Sequence, residues 1–392
     1  MSAEATVSRT APGSLGELLR RVDLRVLVPA LLLVVLGVLA IGADKPALAA
    51  VQLRWCCVGL VAMFGILLVP YRRLLDLAYP VYGLSILLLL LVLVPGIGTE
   101  RNGGMRWLIF GGVSFQPSEL AKVAHVLALA RYIRFRRDQN TVKGLLVPFL
   151  MTLVPMALIL KEPDLGTALM MVPVLFALLW IAGAKTKHLG LVVLFGVASL
   201  PLLYTVCAPH QKARIRTYIA PVAALITTDT DDNAAADRKR DVDSFHLNES
   251  LSAVAGGGLT GQGWGNGRQN TIDGVPFSWT DFIFTIHAEE WGFLGIALLF
   301  GLEVALLLGL ATVARELREP AGKLLAVGGM VLLGTQAVVN LAMTVGLAPI
   351  TGLPLPFLSY GGTSMLTSWM ILALALNARA RQPLVFSTGN FG

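Results

Sequence analysis

Apolar runs of membrane-crossing length constrain this chain more than any other feature it has. The stretch from Val26 to Ile41 carries no charged side chain, and runs of similar character recur along the sequence. A helix needs roughly 17 to 25 mainly apolar residues to cross a hydrocarbon core of about 30 Å, and inside that core it satisfies its own backbone groups. Composition agrees, since 55% of residues are hydrophobic and only 14% are charged, against about a quarter charged in a soluble domain. A soluble fold is thereby excluded. The formal charge of +7 does not point to nucleic acid, because the basic residues lie in short clusters between apolar runs and form no continuous patch. Cys56 and Cys57 are adjacent and Cys207 stands alone, which gives neither a disulfide framework nor metal-ligand spacing.

Polar, Gly and Pro breaks divide the chain into ten expected spans, at about 25–42, 50–69, 76–95, 115–131, 144–160, 167–183, 188–207, 281–307, 322–345 and 361–378. The expected fold is therefore all-α, one polytopic membrane domain over 25–380 between an N-terminal tail, 1–24, and a C-terminal tail, 381–392. The N-terminal segment lacks a small-residue cleavage site after a short apolar core, so the first run reads as a retained helix. Alternate connections carry Arg72/Arg73, Arg131/Arg134/Arg136/Arg137/Lys143, Lys185/Lys187 and Arg315/Arg318/Lys323, with Arg379/Arg381 after the last span. The positive-inside bias makes these the cytoplasmic loops and puts both termini in the cytoplasm. The opposite face then holds 96–114, 161–167, the large 208–280 loop between spans seven and eight, and 346–360. Within 208–280, the polar, charge-mixed stretch 227–243 reads as a flexible insertion. No internal repeat is visible, so the inverted-repeat mark of many transporters is missing.

Unusual side chains gather on that outer face. A carboxylate at membrane depth is costly unless it is paired or lines a wet cavity. Glu119 and Lys122 in Gln116-Pro117-Ser118-Glu119-Leu120-Ala121-Lys122 share a helix face, so they form either a structural ion pair behind a Ser118 cap or part of a polar cavity. Lys161-Glu162-Pro163-Asp164-Leu165-Gly166-Thr167 builds a turn in which Asp164 or Thr167 can cap the next span, but turn chemistry does not explain Lys161 and Glu162. Asp281 opens span eight and is either a cap or a carboxylate facing an outer cavity, able to take a proton from a hydroxyl. His287, Glu289 and Glu290 behind it read as a polar cluster tying helices together rather than a metal site. The glycines from Gly256 to Gly267 permit close backbone approach to a ligand and expose amides that can bind anions. Leu353 to Gly362 must be buried in protein or line water, being non-helical at membrane depth.

Taken together, Gln116-Pro117-Ser118-Glu119 with Lys122, Glu162-Pro163-Asp164-Leu165-Gly166-Thr167, Gly261 to Gly267, Thr280-Asp281-Phe282-Ile283-Phe284 with Glu289-Glu290, and Leu355-Pro356-Phe357-Leu358-Ser359-Tyr360-Gly361-Gly362 resemble, in order, the signature stretches of the SEDS family, RodA and FtsW. The chain departs from that pattern at Pro276-Phe277 and Trp279, at Glu249, and in the 227–243 insertion. The resemblance implies a bacterial cytoplasmic-membrane peptidoglycan glycosyltransferase of elongation or division. It would polymerise lipid II on the outer face and release undecaprenyl pyrophosphate beside a class B penicillin-binding protein. Asp281 matches the family's essential acid, and Trp107 matches another position on which activity depends. Substrate contacts are expected from Trp107, Glu119, Lys122, Lys161, Asp164, Arg214, Arg216 and Ser359, with the basic residues set against the departing pyrophosphate. A divalent cation, Mg or Mn, is compatible with that leaving group, and no metal ligand is assigned. Competing readings are a lipid II flippase and a non-catalytic scaffold for the penicillin-binding protein, and the scaffold has no need of a carboxylate at position 281.

Overall fold

The structure is a computed structural model that describes residues 15–101, 104–136, 140–206, 247–267 and 279–382. In chain order its helices are Leu15–Arg20 (α1), Leu24–Asp44 (α2), Pro46–Leu68 (α3), Tyr71–Asp76 (α4), Ala78–Val92 (α5), Pro117–Ile133 (α6), Val142–Lys161 (α7), Leu165–Ile181 (α8), Thr186–Val206 (α9), Ile283–Glu316 (α10), Pro320–Thr344 (α11) and Gly362–Ala380 (α12). A further helical stretch covers 247–256. Five of the described helices, α2, α3, α7, α10 and α11, are long and apolar enough to cross a membrane, and α5 and α8 are shorter apolar helices. Arg214, Arg216, Cys207 and the expected insertion at 227–243 lie outside the described residues.

The bundle is arranged for a solvent that is itself apolar. Val61, Leu87, Leu194, Leu298 and Val338 stand on its surface, while Gln52, Glu119, Lys122, Gln336, Asn340 and Asn377 are buried inside. Lipid gives helices no hydrophobic reason to associate, so small residues and internal polar bonds hold them together. Gly59 of α3 lets Trp369 of α12 approach, Gly362 of α12 lies against Trp55, and Gly309 of α10 lies against the carbonyl of Arg25. At one end, Glu316 pairs with both Arg25 (3.1 Å) and Arg379 (2.5 Å), and Asn377 Nδ2 donates to the carbonyls of Ile66 (2.5 Å) and Val69 (2.9 Å).

The opposite end amends the all-α expectation. Gly98–Arg101 (β1), Gly104–Phe110 (β2) and Val113–Phe115 (β3) form a three-stranded antiparallel sheet in the order β1-β2-β3. Gly111 and Gly112, at φ 55° and 83°, make the two-residue turn between β2 and β3, a geometry that asks for positive φ at both positions. Helix ends shift as well: α6 starts at Pro117 rather than 115, and α10 runs on to Glu316 rather than stopping near 307.

Helix α10 is broken at Gly292 (φ 61°, ψ −159°), a region of backbone space open essentially to glycine alone. The glycine-rich loop closes the break. Gln262 and Gly263 amides donate to the carbonyls of Glu289 (3.0 Å) and Glu290 (3.1 Å), while Phe293 and Leu294 amides donate to those of Gly258 (2.9 Å) and Leu259 (3.1 Å). A Cβ on Gly257 or Gly261 would collide with the backbone of Ala288 or Glu290. The anion-binding expectation for these amides is thus corrected for Gln262 and Gly263, whose partners are the chain's own carbonyls.

Candidate functional site

Glu119 and Lys122 sit one turn apart at the start of α6, each about 3% exposed, and their side chains meet at 2.9 Å. Both have further partners: Lys122 Nζ donates to Gln336 Oε1 (3.1 Å), and Thr367 Oγ1 donates to Glu119 Oε2 (2.7 Å). The pair therefore ties α6 to α11 and α12. Ser118 does not cap the helix as expected. The N-cap is Gln116, and Ser118 Oγ is buried without a partner among the described residues.

From Gln336 a chain of hydrogen bonds leads to Asp281. Gln336 Nε2 donates to the Pro354 carbonyl (2.7 Å). One turn further along α11, Asn340 Nδ2 donates to the carbonyls of Leu353 (2.7 Å) and Asp281 (2.9 Å). Two buried amides of α11 thus read adjacent carbonyls of the non-helical 353–354 backbone, which answers its need for partners at membrane depth. Asp281 does not cap α10, whose N-cap is Phe282. The half-buried Asp281 lies beside Gly352, where a Cβ would stand 3.6 Å from Oδ2. Gly352 itself has φ 72°, so a side chain there would be both strained and set against the carboxylate.

The turn from α7 to α8 joins the same neighbourhood. Asp164 caps α8 by accepting from the Thr167 amide (3.1 Å), and its second oxygen accepts from Gln116 Nε2 (3.2 Å). A Cβ on Gly166 would come within 3.0 Å of the Thr351 carbonyl, so α8 begins directly under the segment that holds Gly352. From the sheet, Arg106 Nε donates to the Glu162 carbonyl (2.9 Å) and Nη2 donates to that of Pro163. Glu162 is fully buried, with neither side-chain oxygen partnered among the described residues. Burial, with the Asp164 charge in support and Arg106 opposing, pushes its pKa up to about 9.

Of the sequence-derived residues, Glu119, Lys122, Asp164 and Asp281 converge here. Trp107 follows Arg106 on β2, so alternation turns its half-buried indole to the other sheet face from Arg106 and the buried Leu108. Lys161 is exposed at the end of α7. Ser359 is buried, its hydroxyl accepting from the Leu355 amide (2.7 Å) and its carbonyl from Gln52 Nε2 (2.8 Å), which makes it a builder of the loop. His287, Glu289 and Glu290 are buried as expected, and Glu290 Oε1 accepts from the Gly265 amide (3.1 Å). Gln52, Arg106 and Gln336 were not singled out by sequence reasoning. A polar amide inside an apolar run was the available signal for Gln52 and Gln336. Among the described residues no three His, Cys, Asp or Glu side chains gather to hold a metal ion, so they form no ready cage for the divalent cation.

A family model described as "Cell cycle protein", covering FtsW, RodA and SpoVE, matches residues 23–383. A probable peptidoglycan glycosyltransferase FtsW of Geobacter metallireducens is 32% identical over 381 residues, covering 93% of this chain and 96% of the relative. The peptidoglycan glycosyltransferase MrdB of Escherichia coli is 31% identical and covers 79% of each chain. Among solved structures, a chain from work described as "Structural coordination of polymerization and crosslinking by a peptidoglycan synthase complex" aligns with TM-score 0.77 at 34% identity, over 91% of this chain and 97% of that one.

Proposed function

This chain belongs to the SEDS family of FtsW-, RodA- and SpoVE-type proteins and is a peptidoglycan glycosyltransferase of cell-wall synthesis, and we propose that it polymerises lipid II with Asp281 as general base. The observation that carries the assignment is the hydrogen-bonded chain from the buried Glu119–Lys122 pair through Gln336 and Asn340 to the backbone of Asp281. It anchors the backbone that carries the Asp281 carboxylate next to Gly352, which supports reading that carboxylate as the base.

In the reaction the acceptor hydroxyl oxygen bonds to the donor sugar's anomeric carbon while the bond from that carbon to the pyrophosphate oxygen breaks. The hydroxyl proton passes to Asp281, and the electron pair leaves with undecaprenyl pyrophosphate. Attack opposite the leaving group inverts the anomeric centre, for which a single base suffices. Lys122 is proposed to act on the developing anion only as part of its pair with Glu119, since its ammonium is already bound by Glu119 and Gln336. Arg214, Arg216 and Lys161 are proposed to meet the pyrophosphate from the aqueous side, Trp107 and Asp164 to line the sugar's path, and Mg or Mn to be recruited chiefly by the pyrophosphate itself.

The same reading gives ten spans in the bacterial cytoplasmic membrane, with both termini in the cytoplasm and 208–280 outside. It is supported by the arginines at the end of the bundle opposite the sheet, among them Arg25, Arg131 and Arg379. A class B penicillin-binding protein is the proposed partner. Purified protein supplied with lipid II in detergent should make glycan polymer without two compartments, which a flippase cannot do. Asp281→Asn should fold and make none. Polymer made by the variant at the parental rate would falsify the base assignment.

A further inference from the structure

A cavity of about 230 Å³ lies at the end of the bundle away from the sheet, between α4, the α10–α11 turn and the last residues of α12. Its polar wall is Tyr71, Arg318, Glu319, Arg381 and Gln382. Several groups on or beside that wall are buried and unused. The Tyr71 hydroxyl is inside the protein, the residue being 7% exposed; it lies near the Glu319 carboxylate and the Gly322 backbone without a well-formed hydrogen bond to either. Burial, reinforced by the Glu319 carboxylate and opposed by the nearby Arg134, moves its pKa upward, so it stays an O–H donor.

Arg381 directs Nη2 to the carbonyls of Leu67 (2.8 Å) and Leu68 (2.7 Å), which leaves Nε buried without a partner among the described residues. Arg134 Nε and Gln382 Oε1 are in the same condition. Arg318 is exposed at the rim. Helix α11 begins here with no side-chain cap on its first amides. Glu319 is the one carboxylate on the wall, against two guanidinium groups and the end of a helix whose dipole is positive.

Unused donors around a net positive cavity ask for an anion, and the unused Gln382 oxygen asks for a donor beside it. The cavity is smaller than the roughly 300 Å³ at which pockets for drug-sized ligands begin, which suits one head group better than a nucleotide. We propose that this cavity binds a phosphate ester carrying a free hydroxyl, the chemistry shared by a phosphatidylglycerol head group and soluble glycerol phosphate. The phosphate faces Arg318, Arg381 and the Tyr71 hydroxyl, and the free hydroxyl donates to Gln382. Basic pockets between helices at a membrane surface take anionic head groups in this way. The site rests on the membrane-spanning reading alone and is independent of the chemistry at Asp281.

The test is native mass spectrometry of the full chain released from nanodiscs of phosphatidylglycerol or of phosphatidylcholine. Both faces are accessible there, so the outcome does not depend on which way the protein is oriented, and polymerase activity measured in parallel reports separately on the catalytic reading. Retained phosphatidylglycerol without retained phosphatidylcholine is expected. Arg318→Gln at the rim and the isosteric Tyr71→Phe should each weaken retention, by about tenfold for the loss of a charge-assisted bond in the arginine variant. Displacement of the lipid by soluble glycerol 3-phosphate would support the site with a soluble source. Equal retention of both lipids, or retention unchanged in both variants, would overturn it.

Discussion

Glu162→Gln should make the protein more stable at neutral pH, by an amount that grows as the pH is raised. The carboxyl is fully buried, lacks a partner among the described residues, and has its pKa pushed from the ordinary 4.5 up to about 9. Between those values the folded state keeps the proton that the unfolded chain releases, so stability is fully present below about pH 4.5 and declines as pH rises toward about 9. Within that window each step of one in pH removes about 1.36 kcal/mol. Neutral pH lies about 2.5 above the lower end, which corresponds to about 3 kcal/mol, and burying the extra amide of Gln without a partner offsets about 1 kcal/mol or more of the gain. The assay is thermal unfolding of both proteins in detergent across the range from about pH 5 to about pH 8.5. The Gln variant should gain its advantage steadily over that range and show a flatter profile. An advantage independent of pH, or one that shrinks as the pH rises, would refute the placement of an uncompensated carboxyl in this turn.

Removing either partner of the Glu119–Lys122 pair should cost about 3–5 kcal/mol, because the remaining charge is left buried. The double alanine variant should lose less than the sum, and strict additivity in that cycle of unfolding measurements would mean the two side chains do not interact. Asn340→Ala frees the Asp281 and Leu353 carbonyls and should lower kcat for polymerisation by about tenfold or more, the equivalent of about 1.4 kcal/mol, with KM for lipid II little changed. A rise confined to KM would place Asn340 in substrate binding instead. Gly261→Ala drives a Cβ into the backbone of Glu290 at a position with φ 81° and should sharply reduce both yield and melting temperature; a melting temperature equal to the parent's would show that the loop does not dock as described.

Much of the frame was legible because one rule governs it: apolar residues in long runs, interrupted where the chain meets water. The Glu119–Lys122 pair was legible too, since spacing on a helix fixes which side chains meet. What stayed hidden depends on partners distant in sequence. Gln336 and Asn340 look alike on the sequence of α11, yet their value lies in the carbonyls of Pro354, Leu353 and Asp281 that the fold brings to them. Asp164 and Asp281 both looked like helix caps, and only Asp164 is one, because α8 opens on its side chain whereas α10 opens a residue later, at Phe282. The sheet was readable after all. Gly111-Gly112 between Trp107-Leu108-Ile109-Phe110 and Val113-Ser114-Phe115 is a hairpin signal, masked by the expectation that a connection between spans is plain loop.

The break in α10 also sets an order of events during synthesis. Domains emerge from the ribosome N-terminal part first, so the glycine-rich loop is complete before the helix it mends has been made. Until residues 289–294 arrive, Gly258 and Leu259 must leave their carbonyls to water, and until the loop docks, the gap at Gly292 leaves two carbonyls and two amides that hydrocarbon cannot satisfy. Segment 283–316 therefore has reason to pause at the membrane surface, entering fully only when the earlier loop folds onto it. The loop would then act on its own chain as an assembly chaperone, holding the Asp281 end of the helix at the boundary between lipid and water.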